Sequence, residues 1–433
     1  MQQASAKGTT GRLYALGADV WKIAFSAFFA DLGYQAVLAG LPLFLVLDLK
    51  GAPWVFGLAT AIAYGPGAII AYIGGRLGDR LGRKRIAVFG NALIPLLSFI
   101  GLTANIATAV GLFAVGWWGR NFRNPPRRAM LTEVVTPEQE GQAFGLLHAL
   151  DIGGGTLAAL IALILVAIGA SFKVIFLITL APLIISTVFV AITNAGAAPR
   201  QQNRRTYFFT SRSSSITNAG AAPRQQTQAA APTSPSKTVS NLRLYRGVLV
   251  ASALFGFSFY SLGFPILTAE SEGYSGGSLI HAEATGILAY VLYLGVSAIT
   301  GLAIGAVQQA GPRTLASLGY LCATIGSAIL AITAAIHTGI WGTYLGVIVL
   351  GAALGVIETL EPTIVSRVSP EATKSRQMGA LTAARSTGLF IGNIIMGLLY
   401  TLHPSYSYVY AALLALLATI ILTNASAPRP QTA

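Results

Sequence analysis

The sequence predicts an all-α membrane protein of twelve spanning helices, from its composition, the spacing of its apolar stretches and the side on which its charges fall. Of the 433 residues, 54% are hydrophobic and only 10% are charged, and the mean hydropathy is +0.67. A soluble core of this length has no use for so much apolar surface. A spanning helix needs about 20 apolar residues. Six such stretches fall at 20–47, 53–74, 86–105, 107–128, 142–168 and 172–193. Six more fall at 246–269, 283–307, 314–336, 340–366, 377–401 and 404–424. The first is the expected insertion signal, because residues 1–19 lack the compact apolar run and small-residue cleavage site of a removable leader.

Charge orients the spans. All but two of the 28 Lys and Arg, Lys50 and Lys173, lie in one set of alternate loops or in the helix halves nearest it. The positive-inside rule therefore places both termini in the cytoplasm and the chain in the cytoplasmic (cell inner) membrane as a multi-pass protein. The opposite loops lean acidic, with Asp48, Glu270 and Glu272. The net charge of +14 is thus a topology signal, with membrane lipids as the expected surroundings and no nucleic-acid partner. The single cysteine, Cys322, sits inside an apolar span and reads as a packing residue.

Between the second and third spans lies GGRLGDRLGRKR, from Gly74 to Arg85. Its Gly75, Leu77, Gly78, Asp79, Arg80, Gly82, Arg83, Lys84 and Arg85 match position by position the signature loop that this segment resembles, that of the major facilitator superfamily (MFS) of secondary transporters. The resemblance implies two pseudo-symmetric six-helix bundles, a small-molecule substrate between them near the midplane, and a gating role for Gly75, Asp79, Arg80, Gly82 and Arg83. Asp79 is expected to dock on the N-terminal amides of the eleventh helix, near Ser375. The implied organisation is an N-terminal bundle at 1–193, a flexible cytoplasmic linker at 194–245, a C-terminal bundle at 246–424 and a cytoplasmic tail at 425–433, in a monomer.

Internal repeats agree with two halves. ITNAGAAPRQQ at Ile192–Gln202 returns at Ile216–Gln226, and LTNASAPRPQ at Leu422–Gln431 closes the second half as the first copy closes the first. The segments after the fourth and tenth spans also align, with Pro137 on Pro370, Gly145 on Gly379 and Asp151 on Arg385. A worn copy of the signature loop runs from Gly305 to Arg313, with Gln309 where Asp79 would stand. The linker is rich in Ala, Pro, Ser, Thr, Gln and Arg and buries too little to fold alone.

Several chemistries are excluded by pattern. No Gly-Lys dipeptide exists, so no Walker-type phosphate loop is present and a gradient must supply the energy. His148, His281, His337 and His403 are scattered without zinc spacing. Gly153, Gly154 and Gly155 lie inside an apolar helix, where they favour close helix packing over nucleotide binding. No catalytic residue, metal or cofactor is expected, and the chain is not expected to be an enzyme.

The informative polar residues are intramembrane charges, each costing about 2.5–3.5 kcal/mol at a span centre on insertion scales. They are Asp31, Arg120, Arg123, His148, Asp151, Glu358, Glu361 and Arg385. At about 1.5 Å per residue, most share one layer about 12–17 Å from the cytoplasmic helix ends. Arg120 and Arg123 repeat, with opposite sign, the spacing of Glu358 and Glu361. Three uses remain open: ion pairs between the halves joining Arg120, Arg123, Glu358, Glu361 and Arg385 around a central cavity, neutralisation within each half, and direct binding of substrate or proton. Four acids against three arginines leave one negative charge, so Asp31, His148 and Asp151 are the proton-coupling candidates.

The first span from Asp31, the Arg-rich end of the fourth and AFGLLHALD of the fifth are similar to prokaryotic permeases and drug exporters. The Gly-Pro motif usual in the fifth span of proton antiporters is replaced by Gly153-Gly154-Gly155-Thr156. That departure speaks against drug/proton antiport of the usual kind, and the expected function is secondary active transport of a small solute by alternating access, coupled to protons, with efflux favoured over uptake by the first-half resemblance alone. The alternatives are a proton symporter for an anionic metabolite, anchored by Arg120, Arg123 or Arg385, and a transporter-like receptor or assembly protein that no longer transports. Deleting one linker repeat, Ile216–Gln226, is expected to leave expression and transport rate nearly unchanged; a transport assay on the deletion variant checks this.

Overall fold

The computed structural model describes residues 16–136, 139–196, 235–258, 263–274, 278–305, 307, 310–369 and 374–427. Among them, all regular structure is helical. The first half comprises α1 (Ala18–Leu43, running on as a π-helical turn over Phe44–Asp48), α2 (Trp54–Leu81) and α3 (Arg83–Leu93, tightening over Ile94–Leu102). It continues with α4 (Ile106–Glu133), α5 (Glu140–Ala167) and α6 (Phe172–Ile178 with Leu180–Ala191). The second half comprises α7 (described over Pro235–Ser258 and Gly263–Gly273), α8 (Leu279–Gly305) and α9 (Pro312–Thr314, Leu315–Leu321 and Cys322–Ile336). It ends with α10 (Ile340–Val368), α11 (Lys374–Leu402) and α12 (Pro404–Ser426).

Eleven of these helices are long and apolar enough to cross a membrane. The twelfth, α4, drops out because Arg120, Asn121, Arg123, Asn124, Arg127 and Arg128 lower its hydropathy. Those same residues make it the most informative helix of the first half.

Two boundaries differ from expectation. The segment Gly74–Arg85 is not a loop: α2 runs on to Leu81 and α3 begins at Arg83, so Gly82 alone makes the turn. Gly82 has φ 104°, a conformation that only glycine adopts without strain. The arginines and leucines around it are good helix formers, so helix continues up to the single residue that cannot sustain it. The helix α7 begins at Pro235, reaching back into the stretch assigned to the linker. The repeat copy at Ile216–Gln226 and the position of Gln309 lie outside the described residues.

Helices pack first within their own half. In the first, α1 lies on α5 and α6, and α4 on α2 and α3; in the second, α10 lies on α8 and α9, and α12 on α7 and α9. Within Gly153-Gly154-Gly155 only Gly154 is indispensable to packing, because a Cβ there would stand 2.3 Å from the Phe28 carbonyl oxygen of α1.

The halves meet along two seams, α2 with α11 and α5 with α8. These contacts fall in the part of the bundle facing away from the basic loops. The Trp54 amide donates to Thr401 Oγ1 at 3.0 Å, and Phe56 meets Phe264 edge to face at 5.5 Å. A Cβ on Gly57 would come within 2.4 Å of the Asn393 carbonyl oxygen and 2.9 Å of Gly397 Cα. Toward the basic loops the halves diverge, and Glu358, more than halfway down α10 from its Ile340 end, keeps 53% of its side chain exposed. A carboxylate at that depth faces water rather than lipid. The cleft therefore opens toward the basic loops.

The closeness of Gly57 to Gly397 makes the closed seam intolerant of volume. Gly57→Val is expected to hold α2 and α11 apart and to favour the opposite opening, read as faster thiol labelling of a cysteine placed at Thr401 from the non-basic face.

Candidate functional site

On α1, Asp31, Tyr34 and Gln35 share one face at spacings of three and four. Asp31 is buried and accepts hydrogen bonds from the Tyr34 hydroxyl and, at 3.5 Å, from Gln35 Nε2. The carboxyl of Asp151, from α5, lies near enough to that of Asp31 for the two to repel when both are ionised. Asp151 also faces Arg127, whose Nη2 stands 3.7 Å from Oδ2, while its Oδ1 is buried with no donor among the described residues.

The α4 arginines occupy one helical face at 120, 123 and 127. Arg120 has no ion-pair partner among the described residues; its guanidinium lies over the rings of Tyr34, at 4.9 Å, and Trp117, at 4.7 Å. Such contacts contribute about 0.5–2 kcal/mol each. Its Nε is buried without an acceptor. Arg123, only 1% exposed, donates to Asn91 Oδ1 of α3, and Asn91 Nδ2 in turn donates to Ser186 Oγ at 3.0 Å and Thr187 Oγ1 at 2.9 Å.

The second half answers with one compact cluster. The guanidinium of Arg385 bridges Glu358 and Glu361, one nitrogen to each carboxylate. Glu361 is fully buried and also accepts from the Tyr320 hydroxyl and from Ser252 Oγ at 2.9 Å. Every oxygen of this innermost carboxylate is thus matched, as burial of a charge demands. Between the halves the Tyr290 hydroxyl donates to Gln35 Oε1 at 2.7 Å, which places a C-terminal residue one hydrogen bond from the Asp31 cluster.

In this arrangement no pair joins Arg120 or Arg123 to Glu358 or Glu361 across the halves among the described residues; Arg385 takes both glutamates within its own half. The physical reason is the divergence of the halves toward the basic loops, which leaves each cluster to find its partners within its own half. The expected excess of one acid is offset by Arg127, 4% exposed on the same face of α4, which makes four arginines against four acids. Its position, seven residues after Arg120 and four after Arg123, is the helical period that could have revealed it. Tyr320, Ser252, Asn91 and Tyr290 carried no comparable signal. The side chain of His148 lies outside those described.

At the basic face, Arg83 Nη2 donates to Asp79 Oδ1 at 2.9 Å and Arg83 Nη1 to Glu133 Oε1 at 2.6 Å. The other Glu133 oxygen accepts from the Gly196 amide at 2.9 Å, and the Gly196 carbonyl accepts from the Lys84 amide at 3.1 Å. The signature segment is thereby tied to the ends of α4 and α6. Asp79 pairs with Arg83 here, and its side chain is 65% exposed. Gly75 packs against Pro125 of α4, where a Cβ would make contact at 3.3 Å. Arg80 is exposed.

The profile described as Major Facilitator Superfamily matches residues 23–360 and 282–433. The chain is 22% identical over 421 residues to an MFS-type transporter of Methanocaldococcus jannaschii, covering 94% of each. It is 27% identical over 144 residues to Multidrug resistance protein MdtH of Aeromonas hydrophila, a match to 33% of this chain and 36% of that protein. Among solved structures it resembles the nucleoside transporter NupG, with TM-score 0.72 at 12% identity over 95% of this chain and 100% of that one. It also resembles a peptide transporter POT in complex with sulfate, with TM-score 0.70 at 15% identity over 96% of this chain and 95% of that one.

Removing Arg385 would leave two unpaired carboxylates, one of them fully buried, and Arg385→Ala is expected to destabilise the protein by about 3–5 kcal/mol. Exchanging Arg385 and Glu361 should recover part of that loss. Exchanging Arg120 with Glu361 should instead give additive losses, as measured by double-mutant cycles of thermal unfolding in detergent.

Proposed function

The chain belongs to the Major Facilitator Superfamily of secondary transporters, and on that premise we propose that it exports a small solute across the cytoplasmic membrane in exchange for protons. The observation that carries the proton is the Asp31–Asp151 pair. Two neighbouring carboxylates repel when both are ionised, and Asp151 Oδ1 is buried with no donor among the described residues, so a proton held by one of the two relieves both strains. Tyr34 and Gln35 donate to Asp31 and Arg127 faces Asp151, so the pair is held for one proton to be shared and released.

With the basic loops in the cytoplasm, the cleft is open inward. Solute enters beside Arg120 and Glu358, the halves close over it on the basic side, and the seam at Gly57 and Gly397 parts to release it outside. A proton taken up there by the carboxyl pair returns the carrier inward. In the outward form Asp79 leaves Arg83 for the α11 N-terminus, so the signature segment acts as a latch. The partial likeness to a multidrug resistance protein supports export. A second reading, symport of an anionic solute, is favoured by Arg120, which lacks an ion-pair partner among the described residues.

A solute screen in proteoliposomes with an imposed pH gradient tests direction and coupling together. Asp31→Asn and Asp151→Asn are expected to lose accumulation driven by the gradient while retaining solute exchange at equal pH. Wild-type proton dependence in both variants would sink the carboxyl pair as the coupling site.

A further inference from the structure

The two walls of the cleft carry opposite net charge. On the N-terminal wall, Arg120, Arg123 and Arg127 stand against Asp31 and Asp151; on the C-terminal wall, Arg385 stands against Glu358 and Glu361. Among these side chains the first wall is positive by one charge when both aspartates are ionised and by two when they share a proton. The second is negative by one.

The excess on each wall is most open at a particular side chain. Arg123 is buried on Asn91 and Arg127 faces Asp151, whereas Arg120 is partly exposed, lies over the faces of Tyr34 and Trp117 with Asp31 nearby, and has a buried Nε without an acceptor among the described residues. On the other half, Glu361 is saturated by Arg385, Tyr320 and Ser252, while Glu358 shares Arg385 and keeps 53% of its side chain exposed. Arg120 is thirteen residues from the basic end of α4 and Glu358 ten from that of α10. Both therefore lie about 15–20 Å deep at ~1.5 Å per residue, within one helical turn of each other in height.

We propose that the solute is dipolar, a small zwitterion whose anionic group, a carboxylate, binds Arg120 and whose ammonium group binds Glu358. Such a molecule matches both walls at once and draws them together on the basic side. A purely anionic or purely cationic solute would leave one wall charged and unmatched as water is expelled, so it would bind without promoting closure. The aromatic rings of Tyr34 and Trp117 beside Arg120, and of Phe255 beside Arg385, make the remainder of the solute's surroundings largely apolar. This assignment rests on the cleft being the transport site, as the proposed function has it, but it makes no use of the proton.

The test is ligand-dependent thermal stabilisation of the full-length protein in detergent, without a membrane or a gradient. The probes are glycine, γ-aminobutyrate and ε-aminocaproate, which vary the charge separation, with caproate and hexylamine as single-charge controls. Phenylalanine, phenylpropionate and phenethylamine form a second, aromatic set. At least one dipolar probe is expected to stabilise the protein more than either of its single-charge relatives. Arg120→Gln should weaken that probe about tenfold to a hundredfold, the value of a charge-assisted hydrogen bond, and abolish its advantage over the amine. Glu358→Gln should abolish its advantage over the carboxylate. Arg120→Lys and Glu358→Asp, which preserve charge, should retain the preference and show that the site still folds. Equal stabilisation by single-charge probes, or none by any dipolar probe, would overturn the proposal, as would glutamine variants that bind like wild type. Dipolar binding without proton-driven transport would instead overturn only the coupling.

Discussion

A charged side chain in the middle of a bilayer has to be paired or wetted, and the layer of arginines and acids across both halves is built on that requirement. Deep in the protein Glu361 collects a guanidinium and two hydroxyls, and Arg123 is held on an Asn91 network tied to α6. The matching on the first half is less complete, since the Nε atoms of Arg120, Arg123 and Arg127 and Oδ1 of Asp151 are buried with no partner among the described residues. Glu358, by contrast, keeps half its side chain exposed and is open to a solute.

Movement depends on a second constraint, the closeness of approach between the halves. Small residues on α2 and α11 bring backbones together away from the basic face, with Gly57 and Gly397 leaving no room for a side chain. Without a hydrophobic drive between helices in lipid, such van der Waals contact is the main attraction available, and it is lost as soon as the seam parts. The Arg83–Asp79 and Arg83–Glu133 pairs, by contrast, tie the signature segment to its own half and leave it free to travel with that half as a rigid body.

Between these regions runs a short polar path. Tyr290 of α8 bonds Gln35, Gln35 reaches Asp31, and Asp31 meets Tyr34 and Asp151. Gln35 is itself confined by Gly155, where a Cβ would come within 3.3 Å of it. The confined amide thus spends its oxygen on the facing half and its nitrogen on Asp31 of its own half.

The sequence by itself determined the spans and the gathering of the basic residues at one end of them, because bilayer thickness and charge transfer act on local composition. It also determined the family, through Gly75 to Arg85, and the helices bearing the intramembrane charges. Which charges meet was decided only by the tertiary structure. Helical periodicity says that Arg120, Arg123 and Arg127 share a face but not what that face opposes, and the partners of Arg385 depended on how far the halves stand apart. The same holds for Asp79, which two helix ends could have satisfied. Pairing is a property of rigid-body placement, and one strand of residues carries no record of the angle at which two bundles meet.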